Sequence, residues 1–441
     1  MPEKKLTKKQ QAEMLQQAQE EQFLKHVEDR DKRFTRLKLI EPGTPGAGRV
    51  YPWSTIAKLY NSLGCPDCFY NPTVMPFKQA AWFLLLSERA TGKTTNVILL
   101  CLCMWWLYGT SFLYVRDSAD MIAPKNAKTL FDTVNAYGYI HKLTDGLYNS
   151  MVYDSRAWYM CKRDETGKIV DRCPERCAMV TSLDQVSDLK SSLNLPRCDM
   201  VIFDEFVPLN PMDVRQNDPH DFILLSDLLS TVFRLRRSGS VIMLGNTLDM
   251  YNHYYSDLGV ATPLKAAKLG DYGIVDTGET HVYFELIAPP REYREQKDKF
   301  VKRFFDFDNE ELNSITGRGT YSVKQFPLFP GHKGEKTKFK VLDSSIFIKY
   351  GSDFLQLQTV LHDDVGLCVW VRPGYPRDVK KCIILQSEPI TESWQAYGLG
   401  PPKLEKLLVF LWQQHKFYFS TNQQGMAFCS YLSKCRIYLD Y

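Results

Sequence analysis

The residues with the clearest chemical meaning lie in the segment 87–94, whose sequence is SERATGKT. An apolar run, 82–86, comes directly before it. A strand that ends in a tight turn and continues into a helix points backbone N–H groups and the positive end of the helix at one place, where phosphate groups bind. In such a loop Gly92 lets the backbone approach the ligand, Lys93 reaches the outer phosphates, and the Thr94 hydroxyl holds Mg²⁺.

One position departs from the usual pattern G-x-x-x-x-G-K-[ST], because Ser87 stands where the first glycine is expected. Serine tolerates turns but disfavours positive φ, so we expect the entry of the loop to have a different shape. The predicted nucleotide contacts are the consecutive residues Ser87, Glu88, Arg89, Ala90, Thr91, Gly92, Lys93, Thr94 and Thr95.

A second polar group follows the apolar run 201–203. A β-branched and aromatic strand that ends in Asp204 puts this carboxylate at the strand tip, within reach of Mg²⁺. Glu205 is then placed to deprotonate a water for attack on the γ-phosphate. The alternative is a core strand followed by two solvated acids.

A third apolar run, 240–245, leads to Asn246, which we predict to sense the γ-phosphate. The alternative is an ordinary turn at the end of the strand, because asparagine is common in turns.

A basic cluster, 234–237, ends a helix that we predict to begin near residue 221. The helix dipole alone favours basic residues in the last turn. An arginine delivered to the γ-phosphate of a neighbouring subunit would instead accelerate hydrolysis by about 10³- to 10⁵-fold. Arg234 is the first candidate for this action in trans.

The elements that must position these residues alternate between strands and helices from about residue 51 to 263. We predict strands at 82–86, 111–116, 200–204 and 241–245, and helices at 94–108, 125–137 and 221–236. Such alternation indicates an α/β fold of the P-loop NTPase type, with a mostly parallel sheet flanked by helices and ligands at the carboxyl ends of the strands.

The pattern changes after residue 339 to short strands at 354–361, 366–372, 382–386 and 417–419, with helices at 404–414 and from 424. The predicted domains are a polar, possibly helical N-terminal arm and linker (1–50), an ATPase domain (51–265), a connecting region (266–338) and a smaller α+β domain (339–441). A two-metal nuclease needs several converging acids. The obvious acids of the last domain are Asp343, Asp363 and Asp364, so nuclease activity is disfavoured.

The net charge of +4 on 441 residues excludes a globally basic nucleic-acid binder. Any contact with nucleic acid must be local, and the candidate patches are 332–340 and 372–377. The longest apolar run, 97–108, is too short to cross a bilayer and is expected to be a buried helix against the sheet. The polar start of the chain has no signal-peptide pattern, so we expect the protein in the cytoplasm and no membrane partner.

Twelve cysteines raise the question of zinc. Cys65 and Cys68, together with Cys173 and Cys177, have plausible ligand spacing for one tetrahedral ion. However, about a hundred residues separate the pairs and no histidine lies within either pair. We expect reduced thiols without metal, because cytosolic thiols stay reduced.

Several motifs in order resemble the DNA-packaging (encapsidation) ATPases of small podophages with protein-primed linear genomes, which are terminase-like P-loop ATPases of the additional-strand catalytic glutamate class. The matching segments are 69–72 (FYNP), 114–116 (YVR), 201–206 (VIFDEF), 227–234 (DLLSTVFR) and 244–246 (LGN), with weaker matches at 366–371 and 416–437. The resemblance covers most of the chain from about residue 69 onward and leaves the N-terminal arm unmatched.

The resemblance implies a ring-forming ATPase, pentameric in the family, that uses ATP and Mg²⁺ to drive double-stranded DNA into a procapsid. It implies a portal (connector) as partner, a packaging RNA, and a transient stay on the procapsid in the host cytoplasm. Arg234 matches the trans-acting arginine, and Arg89 matches a family arginine inside the loop. Lys190 matches a family lysine just upstream of the acidic strand and is a weaker candidate for intersubunit contact. The last domain is implied to be a ribonuclease-H-like domain that has lost its nuclease.

Two other functions remain open at the level of sequence. A terminase large subunit would both cut and package DNA, and nicking by residues 339–441 would favour it. A nucleotide-gated assembly factor would bind ATP without turnover, and Glu205 argues against it.

Overall fold

The computed structural model describes residues 8–39, 49–67, 69–87, 91–186, 197–207, 220–233, 239–246, 253–278, 280–288, 295, 326–330, 338–350, 353–387, 389–435 and 437. The chain divides into two compact units. The first consists of Met1–Phe206, Leu224–Gly245 and Lys268–Arg294, and the second consists of Val207–Ile223, Asn246–Ala267 and Glu295–Tyr441.

The helices of the first part of the chain alternate with strands, as the sequence predicts. They are α1 (Lys8–Thr35), α2 (Trp53–Ser62), α3 (Lys93–Tyr108), α4 (Pro124–Thr129), α5 (Asp132–Ala136), α6 (Tyr139–Leu143) and α7 (His220–Phe233). The strands are β1 (Lys38–Leu39), β2 (Arg49–Val50), β3 (Trp82–Ser87), β4 (Ser111–Arg116), β5 (Ser150–Asp154), β6 (Ala157–Arg163), β7 (Ile169–Arg172), β8 (Ala178–Ser182), β9 (Cys198–Asp204), β10 (Ser240–Asn246), β11 (Tyr272–Asp276) and β12 (His281–Ile287).

Ten of these strands form one sheet in the order β11-β12-β3-β10-β9-β4-β8-β6-β5, with β7 paired to β6. The pairs β12·β3, β10·β9, β9·β4 and β4·β8 are parallel. All seven residues of β9 are buried, which is typical of parallel strands covered on both faces. The predicted mostly parallel sheet with flanking helices is confirmed.

The register brings the polar strand ends to one edge of this sheet. Leu244 lies opposite Asp204 across β10 and β9, and Val115 lies opposite Phe203 across β4 and β9. The strands β4, β9 and β10 therefore end together, at Arg116, Asp204 and Asn246 respectively.

Helix α3 is the central helix of the unit and is almost entirely buried. It begins after Gly92 and ends before Gly109, and both glycines adopt left-handed backbone conformations (φ of 72° and 68°) that favour glycine. The prediction of a buried helix at 97–108 is confirmed.

Three features of the first unit differ from the expectation. The predicted helix 125–137 is divided into α4 and α5. The strands β5 to β8 have no predicted counterpart; β6 pairs antiparallel with β5, β7 and β8, and β8 also pairs parallel with β4. Strands β11 and β12 fall in the predicted connecting region. However, β12 pairs with β3, the strand that leads into the phosphate loop.

The N-terminal arm packs against the end of α3. Phe23 and Arg30 on α1 are only 5% and 2% exposed. Arg30 Nη2 donates to Glu175 Oε2 at 2.7 Å. The His26 ring stacks on Trp106 with a centroid distance of 3.6 Å, and its Nε2 is 2.9 Å from the Trp106 carbonyl oxygen. The second half of α1 is thus a packed element rather than a solvated one.

The second unit contains a second sheet, flanked by helices. Its elements are α8 (His253–Asp257), α9 (Ala261–Ala266), β13 (Phe339–Tyr350), β14 (Asp353–His362), β15 (Gly366–Pro373), β16 (Ile383–Gln386), β17 (Gln395–Tyr397), α10 (Pro402–Gln413), β18 (Phe417–Phe419) and α11 (Asn422–Lys434). The sheet order is β17-β16-β13-β14-β15-β18. Its core includes Trp412, Phe417 and Phe428. The predicted second α+β sheet domain is confirmed, and its likeness to ribonuclease H stays a prediction.

No helix among the described residues is long and apolar enough to cross a bilayer.

The packing of α1 predicts a pH-dependent stability. Burial lowers the pKa of His26 to about 4, so between pH 6.5 and 4 the unfolded chain binds a proton that the folded chain excludes. The free energy of unfolding should therefore fall as the pH decreases through this window. Urea denaturation followed by tryptophan fluorescence should show a smaller loss between pH 7 and pH 5 for His26→Gln than for the wild type. His141→Gln, which removes an exposed histidine, is the control and should keep the wild-type loss.

Candidate functional site

The phosphate loop is closed at its base by two hydroxyl groups. Ser87 Oγ and Thr91 Oγ1 are 2.7 Å apart and both residues are buried. Ser87 is the last residue of β3, and its φ is not positive. Serine can replace the usual glycine here because the position keeps ordinary strand geometry and its side chain joins the two ends of the loop.

Gly92 is required at the start of α3 for two reasons. Its φ of 72° disfavours any other residue, and a Cβ atom there would lie 2.8 Å from Cγ of Phe69. Its carbonyl oxygen accepts the first helical hydrogen bond, from Asn96 N. Lys93 and Thr94 follow in the first turn, where the positive end of the helix dipole favours an anion.

The loop and the acidic strand meet directly. Thr94 Oγ1 donates to Asp204 Oδ1 at 3.2 Å. Asp204 is 3% exposed. A threonine hydroxyl and a carboxylate at this spacing are oxygen ligands of the kind that Mg²⁺ prefers, and Mg²⁺ commonly keeps waters between itself and one of them. The residues present therefore fit a magnesium site.

Arg116, at the tip of β4, holds both acids. Its Nη1 donates to Asp204 Oδ2 at 3.3 Å, and its Nη2 donates to Glu205 Oε2. The Tyr114 hydroxyl donates to the same Asp204 oxygen at 2.7 Å and accepts from Arg116 Nη1 at 3.1 Å. Asp204 accepts hydrogen bonds from Thr94, Tyr114, Arg116 and the backbone N–H of Glu205, and the Glu205 carboxylate is paired with the Arg116 guanidinium.

Glu205 has an unusual backbone. Its φ is +54°, a left-handed conformation that costs a residue with a Cβ atom about 1 kcal/mol or more. Its N–H donates to the carbonyl oxygen of Leu244 at 2.8 Å and is 3.0 Å from Asp204 Oδ1. The turn sends the Glu205 side chain away from the strand direction and toward Arg116. Local strain of this kind clusters at functional sites.

A cavity of about 410 Å³ lies beside the phosphate loop. Its position follows from two hydrogen bonds, Tyr70 N to Thr91 O at 2.9 Å and Asn96 Nδ2 to Tyr70 O at 2.8 Å. The lining residues are Tyr60, Asn61, Cys65, Pro66, Asp67, Phe69, Tyr70, Asn71 and Asn96. Tyr70 itself is 7% exposed and donates its hydroxyl to Glu285 Oε2 at 2.8 Å.

Next to Arg116, Asp117 is a half-buried carboxyl group. Burial and the neighbouring Asp184 raise the pKa of Asp117 to about 6. A carboxyl group with a raised pKa is charged at neutral pH at a cost to the stability of the folded chain. Groups with perturbed pKa values cluster at functional sites.

The predicted site residues that the structure describes are Ser87, Thr91, Gly92, Lys93, Thr94, Thr95, Asp204, Glu205 and Asn246. Asn246 is the last residue of β10 and is 8% exposed. Glu88, Arg89, Ala90, Lys190 and Arg234 lie outside the described residues.

The cysteines considered as zinc ligands and the acids considered for a nuclease do not form a metal-binding cluster in the part of the chain that the structure describes. No group of three His, Cys, Asp or Glu suited to a metal ion occurs there. Cys173 and Cys177 are buried, and burial raises the pKa of both thiols. Cys68 lies outside the described residues. The Asp343 carboxylate accepts hydrogen bonds from the backbone and hydroxyl of Ser345.

The site contains functional candidates to which the sequence analysis gave no role. Arg116, Tyr114 and Glu285 are polar residues on strands next to those carrying the phosphate loop or the acids. The signal for Arg116 was present, because it ends an apolar run as Asp204 does. Its partner could not be identified without the strand order.

No family model and no curated protein matches the sequence. Among solved structures, the chain is similar to the Phi-28 gp11 DNA packaging motor, with a TM-score of 0.50, 18% identity, and coverage of 85% of this chain and 100% of that one. The bacteriophage Phi-29 viral genome packaging motor assembly gives a TM-score of 0.47 and 16% identity over 83% and 100%. The large terminase ATPase domain of Thermus phage P74-26 gives 0.35 and 14% over 59% and 96%. At these identities the first likeness is one of fold: the chain shares the fold of the Phi-28 gp11 motor.

Proposed function

We propose that this protein is an ATP hydrolase that drives double-stranded DNA into a viral procapsid. The observation that carries the enzymatic part is the contact between Thr94 and Asp204 at 3.2 Å, with Glu205 next in the chain. It joins a phosphate loop to a metal-binding carboxylate and a general base. The fold shared with the Phi-28 gp11 DNA packaging motor supports the packaging part.

In this proposal the loop 87–95 binds the triphosphate, and the cavity of about 410 Å³ beside it receives the nucleoside. Thr94 and Asp204 hold Mg²⁺, which neutralises charge on the phosphates when it is bound. Glu205 accepts the proton of the attacking water, and Asn246, at the end of the next strand, contacts the γ-phosphate or that water.

Arg116 sets the resting state of the site. While its guanidinium holds Glu205 and Asp204, Glu205 is not free to orient a water. Arg116 must therefore release Glu205 before that carboxylate can accept the proton of the attacking water. The pairing with Arg116 restrains turnover while it is intact.

The assembly is proposed to be a homo-oligomeric ring, pentameric as in the family that the motifs resemble. Arg234 is the first candidate and Arg89 the second for an arginine acting in trans, and Lys190 is a candidate for intersubunit contact. The C-terminal domain, 339–441, would hold DNA, and the portal and a packaging RNA would be partners on the procapsid in the host cytoplasm.

The roles of the loop lysine and the acidic pair give separable predictions. Glu205→Gln should lower kcat by about 10²- to 10⁴-fold, the usual contribution of a general base, while ATP still binds. Lys93→Ala should lose ATP binding itself, because the outer phosphates lose their cation. Steady-state phosphate release and binding of a fluorescent ATP analogue measure the two properties. Equal loss of nucleotide binding in both variants would contradict the assigned roles.

The pairing of Arg116 with Glu205 predicts a change in regulation. Arg116→Gln should raise hydrolysis without DNA by about tenfold, equivalent to 1.4 kcal/mol, and reduce the further stimulation by DNA. Arg116→Lys, which keeps a positive charge, should lie between the variant and the wild type. The measurement is ATP turnover with and without double-stranded DNA. A uniform loss of turnover in both conditions would instead place Arg116 at the transition state.

A site shared between subunits predicts complementation. Arg234→Ala subunits and Glu205→Gln subunits should each be inactive alone, and mixing them should restore part of the ATP turnover, since some interfaces then combine an intact arginine with an intact glutamate. Turnover is measured against the mixing ratio. Absence of recovery at every ratio, with mixed assemblies verified by mass, would argue that each site is complete within one chain.

A further inference from the structure

We propose that a basic cleft at the end of α1 binds the phosphate backbone of a polynucleotide. The cleft has a volume of about 380 Å³ and is lined by four cationic side chains, Arg33, Arg36, Lys38 and Lys78. The first three come from the end of α1 and the strand β1, and Lys78 comes from the segment before β3. Cations from separate parts of the chain thus converge on one depression.

The described residues that line this cleft carry positive charge. Among the residues that the structure describes, no Asp or Glu lines it. Arg33 donates its Nε to the backbone carbonyl of Asp29, which leaves the guanidinium charge uncompensated by that bond. The whole chain has a net charge of only +4. Four positive charges in one cleft suit a polyanion.

The cleft is held in shape by its surroundings. Phe34 lies between two guanidinium groups, those of Arg49 and Arg197, each 4.5 Å from the ring centroid. The hydroxyl of Tyr51, a residue that lines the cleft, donates to Asp199 Oδ2 at 2.7 Å. Leu37 packs against the hydrophobic core. The end of α1 is thus fixed before any ligand arrives, which reduces the ordering cost of binding.

A polynucleotide fits these features better than an acidic peptide. The lining is largely apolar, with Val50, Pro52 and the rings of Tyr51 and Tyr108, and it carries the four cations as well. Cations that contact phosphates beside an apolar surface for sugars and bases are the usual combination in nucleic-acid grooves.

The cleft is remote from the nucleotide site. Tyr108, which lines it, is the last residue of α3, and Lys93 of the phosphate loop is the first. A helix of 16 residues is about 24 Å long at 1.5 Å per residue. The inference goes beyond the proposed function, which requires no polynucleotide on this face. It can therefore fail while ATP hydrolysis by the protein is intact, and the reverse also holds.

The test uses the full chain and a double variant, Arg36→Gln with Lys78→Gln. Binding of a fluorescent 20-base-pair DNA duplex, and of an RNA duplex of the same sequence, is measured by anisotropy from about 50 to 200 mM salt. We expect the variant to bind at least one duplex about tenfold more weakly at the lower salt, with a slope of log K against log salt shallower by about 1.8 for two lost phosphate contacts. The duplex that shows the change identifies the source of the phosphates.

The control removes the same charge from outside the cleft, by Lys32→Gln with Lys168→Gln. Both lysines are exposed and belong to the same unit. The control should retain wild-type binding and slope, and DNA-free ATP turnover should be equal in all three proteins.

A footprint of the wild type tests the cleft without any substitution. Either duplex should protect Lys38 and Lys78 from acetylation while Lys32 and Lys168 stay reactive. The proposal is overturned if neither duplex protects these lysines and the double variant matches the control, or if a poly-aspartate peptide of equal charge protects them and the duplexes do not.

Discussion

The hydrogen bond between Thr94 and Asp204 is the contact on which the rest of the site depends. It fixes the first turn of α3 against the end of β9, and these two elements contribute the phosphate loop and the acidic pair. The contact forms only if β9 ends level with the loop. The parallel pairing of β9 with β10 and β4 ensures this, since these strands end at the same edge of the sheet. The register of the sheet therefore also fixes the geometry of the candidate site.

The same edge of the sheet explains how two adjacent carboxylates are stable side by side. Arg116 and the Tyr114 hydroxyl compensate Asp204 and Glu205. A buried carboxylate without such partners would cost several kcal/mol. Neighbouring strands therefore serve two purposes: they build the site, and they carry the donors that stabilise its two acids.

The central part of this architecture could be predicted from the sequence because parallel strands are buried on both faces. Runs such as 82–86 and 201–203 are continuous and apolar, and each ends in polar residues at the site. The flanking strands could not be found in this way. The turn from β5 to β6 has positive φ at Ser155 and Arg156, without the glycine or asparagine that usually marks it. The pairing of β12 with β3 joins segments that are distant in sequence, and no local pattern records it.

The contact between Phe69 and Gly92 links two positions that a reader of the sequence would treat as separate. A Cβ atom at position 92 would meet the Phe69 ring at 2.8 Å. The left-handed backbone at this position independently excludes most replacements. Among related chains, a residue larger than glycine at 92 should therefore be rare, and where it occurs the aromatic ring at 69 should have been replaced by a smaller side chain. The two positions should covary, so the upstream motif evolves as part of the phosphate loop.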